Sequence, residues 1–433
     1  MRADLRRWVL AAALCGGLVA SGSAGAALPL TSNEARIIEG TLAGGARWRS
    51  EVPVNWNGTL LLWSHGYSPR ILPPDVAPAP LRDKLLARGY ALLASDFGAA
   101  GWSIEQAVPS QRQVVIAFTE QIGKPSRTLA WGTSMGGLIT TALAEQDDPV
   151  IDAGLALCPS IGGSIGMMNM ALDGAFAFQT LLAPQAGLEL VRVSDDFANS
   201  ARARAALDVA MQTAPGRARV ALAGILAGLP GWTRPDHPQP HPNDLDGQVA
   251  EMAASFVMGV FLPRVDQERR AGGVFSWNDK VDYRRQLDRS GRGAMVRALY
   301  QRAGLDIEAD LDRLASAPRI TADPKAVQYM MRHYTPTAKP RVPLISLQAV
   351  GDGLTSPSLQ RFYVEQAPAA LAQAIWLDAA GHCTFTDDQA MAALDRLAAR
   401  VVAGRWPDIP VQGAIQADIP PMLRPCLQGG RCE

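Results

Sequence analysis

The segment 132–137, Gly-Thr-Ser-Met-Gly-Gly, constrains the fold of this chain more than any other stretch. It follows an apolar run at 127–131 and precedes a helical pattern at 138–145. Small residues around a serine allow a sharp turn from a strand into a helix, where larger side chains would collide with neighbouring backbone. The turn also sets the serine at a helix N-terminus, whose N–H groups favour developing negative charge. The motif predicts a strand–turn–helix unit with Ser134 as a nucleophile.

Short apolar runs alternate with helical patterns from about residue 34 to residue 160. Buried parallel strands have continuous rather than alternating apolar sequences, and helices between them are typical of crossover connections. Runs of this kind occupy residues 59–64, 90–95, 127–131, 153–158, 343–347 and 374–377. We therefore expect the α/β fold class, with a mostly parallel sheet.

The sheet pattern is interrupted by a long helical region between residues 161 and 340. Its clearest helical stretches are 201–211, 249–262 and 294–303, separated by breaks rich in Pro and Gly. Because strand-like runs resume afterwards, the simplest organisation is one core domain, residues 27–160 and 341–433, with 161–340 inserted. A final helix is expected from Asp387, with Thr386 as its cap.

A serine hydroxyl is a weak nucleophile that needs an adjacent base, and the base needs an acid to orient it. Of the five histidines, only His382 follows a late strand directly. Asp352 lies in a Val-Gly-Asp-Gly turn after the preceding strand. Asp378 is the alternative acid, although it lies on the strand end only four residues before His382. We expect Ser134, Asp352 and His382 to form the catalytic group.

An acyl-transfer site also needs donors for the oxyanion of its intermediate. One donor is expected to be the backbone N–H of Met135, the residue after the nucleophile. The other is expected from the loop after the 59–64 strand, with the N–H of Tyr67 preferred over that of Gly66. His65, in the same loop, is expected to brace it by hydrogen bonds.

The serine turn, the loop after an early strand, the late aspartate and the late histidine follow one another in the order typical of α/β hydrolases. The chain resembles that superfamily over roughly residues 34–160 and 341–403. The resemblance implies an α/β-hydrolase fold, a mostly parallel eight-stranded sheet with a large helical cap inserted before the acid-bearing strand. Residues 161–340 would be that cap.

The activity that the resemblance implies is hydrolysis of a small-molecule or polymeric carboxylic ester through an acyl-enzyme, with no cofactor. Because one fold supports many reactions, the substrate is not transferred with it. An exported aminopeptidase with the same triad is an alternative, and it would need acidic cap residues such as Glu251, Asp282 or Asp310 facing the substrate. A binding protein with a degenerate site is disfavoured, because all three triad positions are intact.

Four cysteines follow the N-terminal segment, and an even number in an exported protein indicates disulfides. Three pairings are open, with reduced thiols as the alternative; a small loop closed by Cys426 and Cys432 would leave Cys158 with Cys383. A cysteine directly after the histidine resembles tannases and feruloyl esterases, where it is disulfide-linked near the nucleophile. Thr133 stands where that motif has a cysteine, so the resemblance implies at most a Cys158–Cys383 bridge.

The first 26 residues predict a cleaved signal peptide, with Arg2, Arg6 and Arg7, an apolar stretch at 8–20 and an Ala-Gly-Ala site at 24–26. We therefore expect a secreted or periplasmic protein, with a retained membrane anchor as the weaker alternative. The 41 basic and 41 acidic residues balance, which gives no electrostatic reason to expect nucleic acid as a partner. Nothing in the sequence determines the oligomeric state.

Two further clusters contain residue types that can bind ligands. Asp236, His237 and His241 lie in a loop broken by prolines, so no metal site is expected there. Met167, Met168 and Met170 follow the fourth strand and suit either an acyl pocket or the core.

Overall fold

The computed structural model describes residues 35–430 and 432–433. The predicted signal peptide, residues 1–26, lies outside the described residues and stays a prediction.

A single mixed sheet runs through the described part of the chain. Its strands are β1 Ala35–Thr41, β2 Arg47–Pro53, β3 Thr59–Ser64, β4 Ala91–Ser95, β5 Arg127–Thr133, β6 Ala153–Leu157, β7 Leu344–Gly351, β8 Ala372–Ala380 and β9 Ala414–Ile415. The spatial order is β1-β2-β4-β3-β5-β6-β7-β8-β9. The strands β3 to β8 pair in parallel, whereas β1, β2 and β9 pair antiparallel at the edges. The predicted mostly parallel sheet is confirmed, and the two-residue β9 extends it by one strand.

Helices flank this sheet and fill the insertion. Those of the core are α1 Ala79–Ala87, α2 Ile104–Gln121, α3 Met135–Ala144, α13 Pro357–Gln366 and α14 Asp387–Ala403. Those between β6 and β7 are α4 Gly163–Leu182, α5 Asp196–Ala210, α6 Ala214–Leu226, α7 Leu245–Val260, α8 Val265–Ala271, α9 Tyr283–Arg289, α10 Gly293–Arg302, α11 Ile307–Ser316 and α12 Pro324–Tyr334. The helical insertion is confirmed, while its exact division into domains at 160/161 and 340/341 stays a prediction.

The sheet is buried on both faces, which explains why its strands have continuous apolar sequences. All six residues of β3 are buried. Leu60 and Leu62 pack into the hydrophobic cluster on one face, and Leu61 and Trp63 pack into the cluster on the other. This alternation follows from the two-residue period of a strand.

The insertion has a hydrophobic core of its own, in which Phe178, Phe256 and Phe261 pack together. The long helix α4 joins the two cores, because its first half, with Met168 and Met170, packs into the sheet cluster. Met167 is also buried there, so the three methionines are core residues.

One segment, Leu245–Ala271, is long and apolar enough to cross a membrane by length and composition alone. In the fold it comprises α7, α8 and the short connection between them, and 56% of its most apolar part is buried inside the protein. A buried core helix of a soluble protein meets the same criterion, so this segment is weak evidence for a membrane span.

A buried ion pair joins the C-terminal tail to α4. Arg424 Nη1 lies 2.8 Å from Asp173 Oδ2, and the two side chains are 0% and 1% exposed. Tyr283 donates a hydrogen bond to the same carboxylate. Burial raises the pKa of Asp173 even beside this arginine.

Replacing Arg424 with methionine is expected to lower the free energy of unfolding by about 3–5 kcal/mol, because it leaves a buried charge without its partner. This loss of stability should become smaller as pH falls. Because the pKa of Asp173 is raised in the folded state, the carboxylate is protonated on acidification and the unpaired charge disappears. Urea unfolding measures the loss. The control is Arg341→Met, whose pair with Asp147 at 2.6 Å is exposed on both sides and should cost under about 1 kcal/mol. Equal losses in the two variants would contradict this role for the buried pair.

Candidate active site

Ser134 lies on the sharp turn between β5 and α3 that the sequence predicts. Its backbone has φ +56° and ψ −118°, a left-handed conformation that is rare outside glycine. The turn fits only because its neighbours are small: a Cβ on Gly136 would lie 2.0 Å from the carbonyl oxygen of Ser64, and one on Gly132 would lie 2.6 Å from it. The strained backbone holds the Ser134 side chain at the C-terminal end of the sheet.

Asp352 and His382 come from the ends of β7 and β8 and meet directly. The distance from His382 Nδ1 to Asp352 Oδ2 is 2.8 Å. Asp352 is fully buried, whereas the His382 side chain is 18% exposed, so its ring reaches a surface that solvent can enter. Asp378, the alternative acid, is exposed and makes no contact with His382 among the described residues. The structure thus pairs His382 with Asp352.

The Asp352 carboxylate is held by donors on every side. Its Oδ1 accepts from the backbone N–H groups of Leu354 and Thr355, at 2.8 and 2.9 Å. Its Oδ2 lies 2.9 Å from Gln348 Nε2 and 2.8 Å from Thr355 Oγ1. A buried carboxylate satisfied in this way is locked in position, as an orienting acid must be.

Ser134 and His382, the predicted nucleophile and base, follow β5 and β8, and the strands β6 and β7 lie between those two. The Ser134 N–H donates to the carbonyl of Leu157, and the next residue, Cys158, is disulfide-bonded to Cys383, the neighbour of His382. Within the described residues, no hydrogen bond joins Ser134 to His382, and His382 Nε2 lies 3.4 Å from Cys383 Sγ instead. In proteins without substrate, such catalytic hydrogen bonds are often long and tighten only on binding.

The loop after β3 approaches the serine from the other side. A Cβ built on Gly66 would lie 3.5 Å from Ser134 Cβ. The N–H of Tyr67 donates to no acceptor in the described part of the chain. Met135 is the first residue of α3, so its N–H has no partner within the helix. Both groups are free to bind an oxyanion, and their role stays a prediction.

His65 braces this loop rather than facing the serine. Its ring stacks on Phe97 with centroids 4.2 Å apart, and its Nδ1 lies 2.7 Å from the carbonyl oxygen of Gly66. Burial lowers the pKa of His65, which favours the neutral ring that a buried brace requires.

Two residues of the site were not predicted from the sequence: Gln348 and Thr355. Thr355 Oγ1 lies within hydrogen-bonding distance of Asp352, of His382 Nδ1 and of the Cys158 carbonyl oxygen. A sequence signal existed for its backbone, since an aspartate commonly accepts from N–H groups two and three residues ahead of it. No such local rule applies to Gln348, whose contact with Asp352 depends on the bend of the chain after β7.

Both predicted disulfides are present, Cys158–Cys383 and Cys426–Cys432. The first joins β6 to the loop that carries the base, across 225 residues of sequence. Both of its cysteines have positive φ, 41° and 59°. Together with Thr355, the bridge ties the ends of three strands around His382.

Removing this bridge is expected to lower kcat/KM by about 100-fold, because a misplacement of about 1 Å in a catalytic group costs that much. The variant Cys158→Ala/Cys383→Ala tests it by initial rates of ester hydrolysis, with circular dichroism to verify the fold. Cys426→Ala/Cys432→Ala, which removes the tail bridge, is the matched control and should keep its rate. Equal rates in the two variants would show that the Cys158–Cys383 bridge does not position the base.

One cluster near His382 contains residue types that bind metal ions. In residues 35–430 and 432–433, one group of His, Cys, Asp or Glu side chains lies close enough to share an ion, namely Cys158, His382 and Cys383. Its two sulfurs are bonded to each other, so they are not thiolate ligands. Asp236, His237 and His241 do not form such a group in this region.

Three features are typical of the α/β-hydrolase fold: the strand order, the strained serine turn and the buried Asp–His pair at the ends of β7 and β8. The chain therefore has the α/β-hydrolase fold.

Among known proteins, the chain is similar to the o-phthalyl amidase of Xanthobacter agilis, with 28% identity over 413 residues, 85% of this chain and 88% of that protein. No family model matches the chain. An esterase from Pyrococcus furiosus aligns with 12% identity and a TM-score of 0.40, over 87% of this chain and 93% of its own. Feruloyl esterase B from Aspergillus oryzae aligns with 12% identity and a TM-score of 0.41, over 87% of this chain and 80% of its own. Similarity this weak adds nothing to what the strand order shows.

Proposed function

We propose that this protein is a serine hydrolase that cleaves carboxylic esters through an acyl-enzyme on Ser134. The observation that carries the proposal is the 2.8 Å contact between His382 and the buried Asp352, beside a serine on a strained strand–helix turn. This combination supplies a nucleophile, a base and an orienting acid at one edge of the sheet.

In the proposed reaction, Ser134 Oγ attacks the ester carbonyl while His382 Nε2 takes its proton. Asp352 accepts a hydrogen bond from Nδ1–H and stabilises the imidazolium that forms. The N–H groups of Met135 and Tyr67 bind the oxyanion. His382 then returns the proton to the leaving alcohol, and a water activated by the same ring releases the acid.

Amide hydrolysis is a second candidate, favoured by the 28% identity to an o-phthalyl amidase over most of both chains. The same groups would act, with His382 giving its proton to a leaving amine rather than an alcohol. An amine is a poorer leaving group, so this reaction depends more on that proton transfer.

The acids named for the aminopeptidase alternative make other contacts, which disfavours that alternative. Glu251 is buried and pairs with Arg234 at 2.6 Å, and Asp310 is buried and pairs with Arg219 at 2.6 Å. Asp282 caps the N-terminus of α9. Glu251 and Asp310 are thus engaged by arginines and Asp282 by a helix N-terminus, which weakens the case for an aminopeptidase.

Export to the periplasm or the medium is also part of the proposal. The N-terminal sequence supports it, and so do the two disulfides, because such bonds persist in oxidising compartments. The expected substrates are esters or amides met outside the cytoplasm, as small molecules or as part of a polymer.

A panel of substrates tests the reaction class. Initial rates are measured with p-nitrophenyl esters of rising acyl length and with matched p-nitroanilides of the same acids. We expect ester turnover with a clear optimum of acyl length. Faster turnover of the anilides would transfer the assignment to an amidase, and no turnover of either series would contradict the proposal.

A further inference from the structure

A cavity lies beside the end of β7, the strand that leads to Asp352. It is a groove of about 670 Å³ between the cap segment 230–242, the end of β7 and the tail segment 415–421. It continues into a smaller space of about 40 Å³, with Arg292 and Val350 on the walls of both. Ser134 and His382 line neither cavity, so this space is separate from the triad.

Arg292 is the notable group in this groove, because it is a cation with only neutral partners. Its Nη1 donates to the carbonyl oxygen of Leu229 at 2.7 Å. Its Nη2 has only two distant partners, Gln248 Oε1 and Met295 Sδ, both at 3.4 Å. Within the part of the chain that the structure describes, no carboxylate forms an ion pair with this guanidinium.

The surroundings of other arginines differ. Arg361, on the same groove, pairs with Glu365 at 2.6 Å. Burial lowers the pKa of both Arg264 and Arg292 to about 10, but Glu268 and Asp196 act on Arg264 to oppose that effect. At Arg292 burial is the whole cause, and no neighbouring charge contributes.

A guanidinium that is partly withdrawn from water and lacks a counter-ion is costly, and an anion that enters the groove relieves that cost. A carboxylate fits best, because its two oxygens match two N–H donors of the guanidinium fork. The weakly bonded Nη2 supplies one of those donors, and Nε, which donates to no acceptor among the described residues, supplies the other.

The walls define the rest of the ligand. Trp232, Met295, Pro240 and Pro420 provide apolar and aromatic surface near the charge. Asp378 and Asp418 are exposed on the same groove and would repel a ligand with several negative charges. A single carboxylate on an apolar body satisfies both conditions.

We infer that Arg292 is the centre of a binding site for a small apolar monocarboxylate, distinct from the Ser134 site. The carboxylate belongs either to a free organic acid or to a distant part of the substrate. The groove borders the catalytic loop: a Cβ on Gly351 would lie 2.5 Å from the carbonyl oxygen of Trp232, and Gly351 precedes Asp352.

Isothermal titration calorimetry of the full chain carrying Ser134→Ala tests the site without any turnover. The probe is benzoate, with benzamide as its uncharged counterpart. We expect benzoate to bind one to one and at least about tenfold more tightly than benzamide, a difference of about 1.4 kcal/mol. Adding Arg292→Gln should remove the preference, and adding Arg341→Gln, which removes an exposed cation outside the groove, should leave it within about twofold.

Met295→Glu is an independent variant that keeps Arg292 in place. Its carboxylate would be placed beside Nη2 as an internal counter-ion, and benzoate should then bind no better than benzamide. Absence of benzoate binding, or binding that survives both Arg292→Gln and Met295→Glu, would overturn the inference. These outcomes do not depend on ester hydrolysis, so they separate the failure of this site from the failure of the proposed function.

Kinetics of the wild-type chain distinguish the two sources of the carboxylate. If it belongs to the substrate, Arg292→Gln raises KM for a monoester of a dicarboxylic acid and leaves KM for a neutral ester unchanged. If it belongs to a free acid, benzoate changes the turnover of the neutral ester in the wild type and not in Arg292→Gln. Either result supports the site. If both kinetic effects are absent and the calorimetric test also fails, the site is rejected.

Discussion

Replacement of Ser134 with alanine is expected to lower kcat for ester hydrolysis by about 10⁵- to 10⁶-fold, with little change in KM. The large effect follows because the acyl-enzyme cannot form without the hydroxyl, and His382 and Asp352 then have no proton to transfer. The oxyanion donors at Met135 and Tyr67 remain, so a small residual rate above the uncatalysed reaction is expected. Initial rates with the best ester of the panel measure the change.

Ser103→Ala is the matched control. The Ser103 hydroxyl is buried and makes no hydrogen bond to any residue that the structure describes, so its removal changes a buried serine without touching the site. We expect its kcat to stay within about twofold of the wild type. Comparable rates from Ser134→Ala and the wild type would eliminate Ser134 as the nucleophile.

Replacement of Asp352 with asparagine is expected to lower kcat by about 10⁴-fold. The side chain keeps its shape, but an NH₂ group replaces one of the two carboxylate oxygens. That NH₂ group donates hydrogen bonds and cannot accept one from Nδ1–H. Because two backbone N–H groups already face Oδ1, the asparagine oxygen should take that position and turn its NH₂ toward His382. The ring would then hold its proton on Nε2 and could not accept one from Ser134.

Asp378→Asn is the control for this prediction, because Asp378 is the other acid near the end of β8 and is exposed. Its kcat should match the wild type. A large loss in Asp378→Asn with a small loss in Asp352→Asn would exchange the roles of the two acids. Rates for both variants come from the same ester assay, with thermal unfolding to verify that each is folded.

The sequence was most informative where a local rule applies. The turn at Ser134 requires small residues whatever surrounds it, and the helix from Asp387 has the capping box that Thr386 and Gln389 predict. The buried strands were predicted because both of their faces are apolar. These features depend on residues close together in the chain, and their prediction is confirmed.

The edge strands show why other features were not predicted. In β2 the apolar Trp48 alternates with charged residues, and Glu51 is buried only because Arg49 and Arg82 pair with it. The strand β9 has two residues and exists because β8 lies beside it. Neither has an apolar run, so a search for buried strands passes over both.

The cap shows the same limit. Two of the acids named for the peptidase alternative, Glu251 and Asp310, are engaged by arginines from other elements, as when Arg219 pairs with Asp310 across 91 residues. Sequence shows which acids exist but not which cations they meet. The Arg292 groove is likewise formed by segments more than 100 residues apart, so only the fold brings its walls together.

Covalent labelling with a fluorophosphonate, followed by mass spectrometry of the digested protein, tests the central claim most directly. Fluorophosphonates react with a serine that an adjacent base has activated, so no knowledge of the substrate is needed. We predict one label per chain, on the peptide that contains Ser134, with labelling strongly slowed by His382→Ala. A label on another residue, or an unlabelled Ser134 in a folded chain, would contradict the assignment of Ser134, His382 and Asp352 as the catalytic group.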